Sequence, residues 1–257
     1  MSLQSVQQEC FDAANDEYLQ EARDDLALFE VLLGNLRTGG SAAEEALPRM
    51  VGEVRKLLGF CTGMGLPLLD LLLRRLDNYL TDLDDPNPRQ VDDLDVFVDI
   101  MRGLLENEVD DNVDEAEFVR SLPVRRPVEL EDLEHLNIEI LLVDPNRTSA
   151  RIIARDLQNC GYRVAMAQSS FEAIELAVRT RPDIVLSSSV LDDIAGVDLA
   201  AALAVLPKTK SVPFVLVTSY EPGHPSLAGL PESAAVVRKS SQFGDDLAVA
   251  LERFGII

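Results

Sequence analysis

The chain has 257 residues, with 45 acidic against 23 basic side chains and a formal net charge of −22. So acidic a balance argues against nucleic acid as a partner, because binding phosphate needs basic surface. No apolar run approaches the roughly 18 residues that span a bilayer, and no signal-peptide pattern opens the chain, so a cytoplasmic protein without membrane insertion is expected. The length suggests two domains. Cys10, Cys61 and Cys160 are scattered without metal-ligand spacing and read as reduced, buried thiols.

Residues 1 to about 13 are polar and uninformative. From Asp16 to Leu36, Tyr18, Leu19, Ala22, Leu26, Phe29, Leu32, Leu33 and Leu36 recur at helical intervals, with acids opposite. Thr38-Gly-Gly40 stops that helix, and Ser41-Ala-Ala-Glu44 is a capping-box pattern for a second, to about Phe60. Gly63 and Gly65 break the chain before a third helix, with Pro67 in its first turn, reaching about Leu83. After the turn Asp84-Asp-Pro-Asn-Pro88, Gln90 to Glu106 gives a fourth. Short loops between four helices predict an all-α antiparallel bundle over residues 14–108.

Within it, Glu53-Val-Arg-Lys-Leu-Leu-Gly59 followed by Gly65-Leu-Pro67 resembles the motif around the phosphorylated His of histidine phosphotransfer (HPt) domains. That motif runs His, two residues, Lys, Gly, then a later Gly-Leu. Gly59 and Gly65-Leu66 match, but the His position falls on Arg55 and the Lys position on Leu58. A permanent guanidinium cannot carry a phosphoryl group, though it can pair with a carboxylate on a docked partner. The resemblance therefore makes Arg55, Leu58 and Gly59 partner-binding candidates. The two histidines, His135 and His224, read as solvated.

Residues 109–136 read as a linker: acidic to Glu117, a helical turn over Glu117 to Leu122, then Pro123-Val-Arg-Arg-Pro127 as an extended connector. Residues 1–130 hold 28 acids and 12 bases. A solvated face accounts for that excess, with steering toward a basic partner as the alternative.

Beyond Asn137 strands and helices alternate. Ile138 to Val143 is a strand ending in Asp144, Arg147 to Cys160 a helix stopped at Gly161, and Tyr162 to Ala165 a short strand. Ser170 to Arg179 is a helix capped by Ser169 or Ser170. Ile184-Val-Leu186, entered through Pro182-Asp183, is a buried strand leading into Ser187-Ser-Ser189. Val197 to Leu206 is a helix, Val212 to Val217 a strand ending in Thr218, Ala234 to Val237 a strand ending in Arg238-Lys239, and Gly244 to Phe254 the last helix. Five strands alternating with helices predict an α/β flavodoxin-like, doubly wound, five-stranded parallel sheet over 137–257.

Pro182-Asp-Ile-Val-Leu, Gly196, Thr218 and Lys239 resemble the pattern of response-regulator receiver domains. That family carries an acidic pair after strand one, a phosphoacceptor Asp after strand three, Thr or Ser after strand four and Lys after strand five. Here the pair is Asp144-Pro145, and Ser188 stands at the phosphoacceptor position. Val236 holds the place of the aromatic switch, and Ser240 that of the usual Pro. Asp144, Ser188, Thr218 and Lys239 are thus expected to be a vestigial phosphoacceptor site, with Lys239 paired to Asp144 and neither metal nor cofactor bound.

The family's fourth helix falls on Glu221-Pro-Gly-His-Pro-Ser-Leu-Ala-Gly-Leu-Pro231, whose prolines and glycines leave room for one turn near Ser226 to Ala228. Loss of that helix is expected to expose apolar surface on strand five.

The expectation is a non-enzymatic regulatory or scaffold component of a bacterial two-component phosphorelay. Its partners are a histidine kinase, a phosphotransfer protein or a response regulator, and a second copy of the chain is a further candidate. Two alternatives stand beside it: a phosphoacceptor whose carboxylate is displaced to Asp192 or Asp193, and a small-ligand sensor using the crevice above Asp144.

Overall fold

The computed structural model of the chain describes residues 3–61, 65–106, 113–125, 137–221, 223–240 and 242–256, with the side chains of residues 3–16 outside that description. Gly63, His135, Pro222, the Cys10 thiol and most of the expected linker lie outside the described residues. The chain divides into two units, Met1–Arg125 and Arg126–Ile257.

The first unit is helical: α1 (Leu3–Thr38), α2 (Ser41–Cys61), α3 (Pro67–Leu80), α4 (Pro88–Leu105) and α5 (Glu115–Ser121). The first four close a ring, α1 against α2 and α4, and α3 against α2 and α4. Phe29, Leu57, Leu72, Leu94 and Phe97 are all but inaccessible at its centre. A fully buried side chain of this size contributes about 1.5–3 kcal/mol. Local signals set the helix ends. Gly39 and Gly40 take positive φ between α1 and α2. Asn87 accepts from the Gln90 N–H at 2.9 Å while the Gln90 side chain accepts from the Asn87 N–H at 2.9 Å, a reciprocal cap on α4.

Two expectations need correction. Helix α1 begins well before Asp16, so the opening stretch is helical, and Leu3, Val6, Cys10 and Ala13 recur across it at helical spacing. The linker does not begin at residue 109 either, because α5 packs on α3 and buries Ala116, Phe118 and Val119. Arg125 then donates to the carbonyls of Thr81 and Asp82 beyond the end of α3, at 2.5 and 3.3 Å, tying the following stretch to the helices.

The second unit is a parallel sheet of β1 (Glu139–Val143), β2 (Arg163–Ala167), β3 (Ile184–Ser188), β4 (Phe214–Thr218) and β5 (Ala235–Arg238), in the order β2-β1-β3-β4-β5. Helices α6 (Arg147–Asn159), α7 (Ser170–Thr180), α8 (Gly196–Val205) and α9 (Phe243–Arg253) complete it. Ile140, Leu142, Ile184, Leu186, Val215, Val217, Ala235 and Val237 form one layer with α6 and α9. The alternate strand residues face the other way, where α7 packs on β1 and β2 and α8 on β4. Arg163 donates to Glu139 at 3.0 Å, a buried ion pair between β2 and β1.

Between β4 and β5 the only regular element among the described residues is a 3-10 turn, Pro225–Leu227, as the prolines require. β1, β3 and β4 bury every residue, whereas β5 buries Ala235 and Val237 and exposes Val236 and Arg238. Cys61 is buried as expected, but Cys160, at the end of α6, is exposed.

Gly196 opens α8 under the end of β3, and a Cβ there would sit 2.3 Å from the Ser188 carbonyl and 2.9 Å from Leu216 Cδ1. Backbone cannot yield cheaply, so Gly196→Ala is expected to cost about 1–3 kcal/mol in urea unfolding followed by circular dichroism. Gly244→Ala, where a Cβ meets nothing within 4 Å, serves as control and should be neutral or stabilising. Equal effects at the two positions would refute the close approach.

Candidate functional site

Four strands deliver their carboxyl ends to one crevice, the usual ligand position in doubly wound sheets. Asp144 follows β1, Ser187 and Ser188 end β3, Thr218 ends β4 and Lys239 follows β5. Backbone bonds hold these ends in register: Asp144 N–H to the Ala167 carbonyl at 3.1 Å, Ser189 N–H to Val217 at 2.9 Å, and Lys239 N–H to Thr218 at 2.8 Å.

The Lys239 ammonium bridges the crevice, 3.4 Å from Asp144 Oδ2 and 3.5 Å from Ser188 Oγ. Asp144 is 3% exposed. Its Oδ1 accepts from the Asn146 N–H at 2.9 Å and its Oδ2 from the Ser149 hydroxyl at 3.1 Å. A buried carboxylate is costly unless paired, and this one is paired and hydrogen-bonded from three directions. Thr218 Oγ1 accepts from the Tyr220 N–H at 3.1 Å. The structure thus brings together all four residues singled out from sequence. It adds Asn146 and Ser149 from the start of α6. A polar residue one helical turn beyond a strand-end carboxylate was the available signal for Ser149.

The donor set does not fit Mg²⁺. That ion needs several oxygen ligands in octahedral array, and the crevice offers one carboxylate already committed to Lys239, with Pro145 beside it. Among the described residues no group of three or more His, Cys, Asp or Glu is placed to hold a metal ion. As a nucleophile, Ser188 has an ammonium rather than a base beside it.

The displaced-carboxylate alternative meets a different obstacle. Asp193 accepts from the backbone N–H groups of Ser170, Phe171 and Ile194 at 3.1, 3.0 and 2.9 Å, while the Ser170 hydroxyl donates to the Ile194 carbonyl at 2.9 Å. It therefore clasps the loop after β3 to the first turn of α7. Desolvation opposes the charge, but those N–H groups and the Ser170 hydroxyl outweigh it and hold the carboxyl down at about 2. Asp192 is exposed.

In the helical unit, Arg55 Nε donates to Asp77 Oδ1 on α3 at 2.8 Å, so this expected docking cation already has a carboxylate partner. Leu58 is half-buried and Gly59 exposed. The neighbouring Lys56 lies 2.7, 3.1 and 3.3 Å from Glu53, Asp25 and Glu21. Asp25 is buried, and desolvation pushes its carboxyl above the ordinary value against the pull of Lys56. Lys56 donates to Asp25 Oδ1 at 3.4 Å and lies 3.1 Å from Oδ2. His224 is exposed, stacked on Tyr220 at 4.2 Å, and its Nδ1 accepts from the Ser226 N–H at 3.1 Å.

The Asp193 clasp has a pH signature. Its folded value lies below the unfolded one, so its contribution is complete above the ordinary carboxylate range near ~4 and is lost as pH falls toward about 2. Asp193→Asn should cost about 1 kcal/mol at neutral pH, the value of a helix cap, and less as pH drops through that window. Urea titrations at several pH values measure this, and a cost independent of pH would rule the clasp out.

Residues 140–231 match the family model described as response regulator receiver domain, a stretch that includes Asp144, Ser188 and Thr218 and stops before Lys239. Over 81 residues the chain is 22% identical to the polar-differentiation response regulator DivK of Brucella anthropi, covering 32% of this chain and 66% of that protein's length. Similar solved structures include a putative response regulator from Chloroflexus aurantiacus (24% identity, 46% of this chain and 98% of that one, TM-score 0.42). Another is the chemotaxis response regulator CheY4 of Vibrio cholerae (21%, 46% and 98%, TM-score 0.41). The C-terminal region of this chain is a response regulator receiver domain of two-component signalling.

Proposed function

We propose that the chain is a non-enzymatic regulatory or scaffold component of a bacterial two-component phosphorelay, in which the receiver does not take up phosphate. The observation that carries this reading is the Lys239 ammonium lying between Asp144 and a serine at the phosphoacceptor position. Acyl-phosphate chemistry needs a carboxylate nucleophile and cationic charge free to meet the phosphoryl oxygens. Here the nucleophile is a neutral hydroxyl, and the cation already neutralises Asp144.

The helical unit supports the same reading as an HPt-like domain without its histidine. Arg55 stands at that position on α2 and is paired with Asp77. With neither half able to pass a phosphoryl group, what remains is shape. Such a chain binds a histidine kinase, a phosphotransfer protein or a response regulator and competes for, or bridges, their docking surfaces. Those partners place it in the cytoplasm, and among the described residues no helix is long and apolar enough to cross a membrane.

Incubation with radiolabelled acetyl phosphate or a kinase in Mg²⁺ is expected to leave the protein unlabelled. The double variant Ser188→Asp, Pro145→Asp restores both missing carboxylates and is expected to gain alkali-labile label. Acid-stable label on Ser188 of the unaltered chain, or alkali-labile label on Asp192 or Asp193, would overturn the reading.

A further inference from the structure

Helices α7 and α8 cover one layer of the receiver sheet. Each returns from the end of one parallel strand to the start of the next, so the two run side by side in the same direction and pack on each other. A helix at the surface of a soluble domain ordinarily turns charged and polar residues outward. Much of the outer face here is apolar instead. In α7 the inner face is fixed by buried Ala173, Leu176 and Ala177. Phe171, Ile174 and Val178 recur at helical spacing on the other side, Phe171 65% exposed and the other two half-buried. Glu175 between them is paired along the helix, accepting from Arg179 at 2.8 Å.

In α8 the buried side is Val197, Leu199, Ala200 and Leu203. That leaves Asp198, Ala201, Ala204 and Val205 exposed, Val205 at 77%. Asp198 is the one charged residue in the helix.

Charge collects at the two ends of this face. Asp192 and Asp198 stand at the end where the two helices begin, and Arg181, Lys208 and Lys210 at the end where they stop, all of them exposed. Acids beside first turns and bases beside last turns are the ordinary complement of the helix dipole. With an apolar stretch between them, they also make the face complementary to itself. A partner carrying one sign of charge would match a single end. An identical face turned through a half-rotation matches both, because a two-fold contact sets the aspartates of each copy opposite the lysines of the other.

From these observations we infer that a second copy of the chain docks here, with α7 and α8 of one protomer lying antiparallel on the same helices of its partner. Phe171, Val178, Ala201 and Val205 occupy the centre, and Lys208 and Lys210 meet the partner's Asp192 and the partner's Asp198 at both rims. Helices of 11 and 10 residues extend ~16 Å, and two side by side span ~20 Å. That footprint is smaller than the ~800 Å² per partner of a standard interface, so the dimer forms in the micromolar range. Two copies joined in this way make the scaffold bivalent. The inference goes beyond the scaffold reading, and it does not depend on whether Ser188 accepts phosphate.

Sedimentation equilibrium of the full chain from ~1 to ~300 µM is expected to show a reversible monomer–dimer transition within that range. Val205→Glu and Phe171→Glu, both at exposed positions, should weaken the dimer at least about tenfold while leaving circular dichroism unchanged. Val249→Glu, also at an exposed position but on α9 in the opposite layer, is the control and should leave the dimer intact. Charge supplies the sharper arm. Lys208→Glu with Lys210→Glu loads both ends of the face with acids, and Asp192→Lys with Asp198→Lys loads both with bases. Each double variant is expected to be monomeric alone, and the two mixed to form a heterodimer. A chain that stays monomeric throughout, or a dimer insensitive to Val205→Glu or dissolved by Val249→Glu, would overturn the inference. So would a mixture of the double variants no more associated than its components. Phosphate labelling reports on Ser188 and sedimentation on α7 and α8, so the two proposals fail separately.

Discussion

The receiver crevice is governed by the need to neutralise one buried carboxylate. Asp144 sits at the end of a central strand with almost no access to water. An isolated charge there is costly, and in real proteins it is paired or loses its charge. Lys239 reaches it from the end of β5, and Asn146 and Ser149 complete its hydrogen bonds from the first turn of α6. Removing the Lys239 ammonium would leave the buried carboxylate with neutral donors alone, so losing that partner costs more than the pair contributes.

That arrangement would hold a receiver fold together without phosphoryl chemistry, as the proposed function requires. The sheet needs its strand ends held together whether or not a phosphate ever arrives. Backbone bonds from Asp144, Ser189 and Lys239 to neighbouring strands do part of this, and the Lys239 ammonium does the rest across the crevice. The Asp193 clasp holds the loop after β3 by a separate set of contacts to α7. Ser188 adds no charge that would need a metal to balance it. In the helical unit, Arg55 and Asp77 form a comparable pair where the resemblance puts a phosphorylated His.

Most of this fold was legible in sequence because strand ends and helix stops are written locally. Pro182-Asp183 before an apolar run marked β3, Gly161 marked the end of α6, and the prolines after Glu221 ruled out a helix. Errors fell where local chemistry is silent. β2 extends through Met166 and Ala167, weak strand formers that pair with Leu142 and Val143 of β1. The strand expected from Val212 begins instead at Phe214, the Pro213 carbonyl accepting from Val185. Helix α5 was read as one turn of linker because Phe118 and Val119 reveal their purpose only against α3. At the site, Asp144, Ser188, Thr218 and Lys239 could be placed by their positions at strand ends. The partners of Asp193 and Arg55 could not, since each lies some twenty residues away along the chain.

The proposal that the crevice takes neither metal nor phosphoryl group is most directly examined by ¹⁵N–¹H spectra of the full chain titrated with Mg²⁺ and then with beryllofluoride, an analogue of a phosphoryl group bound to a carboxylate. With Asp144 held by Lys239 and a hydroxyl at position 188, the amides of Asn146, Ser149, Ser189, Thr218 and Lys239 should not move as Mg²⁺ is raised to about a millimolar, and beryllofluoride should add nothing. Saturable shifts of those amides well below about a millimolar Mg²⁺, or a second set of peaks with beryllofluoride, would show that the site still opens to a metal and a phosphoryl group.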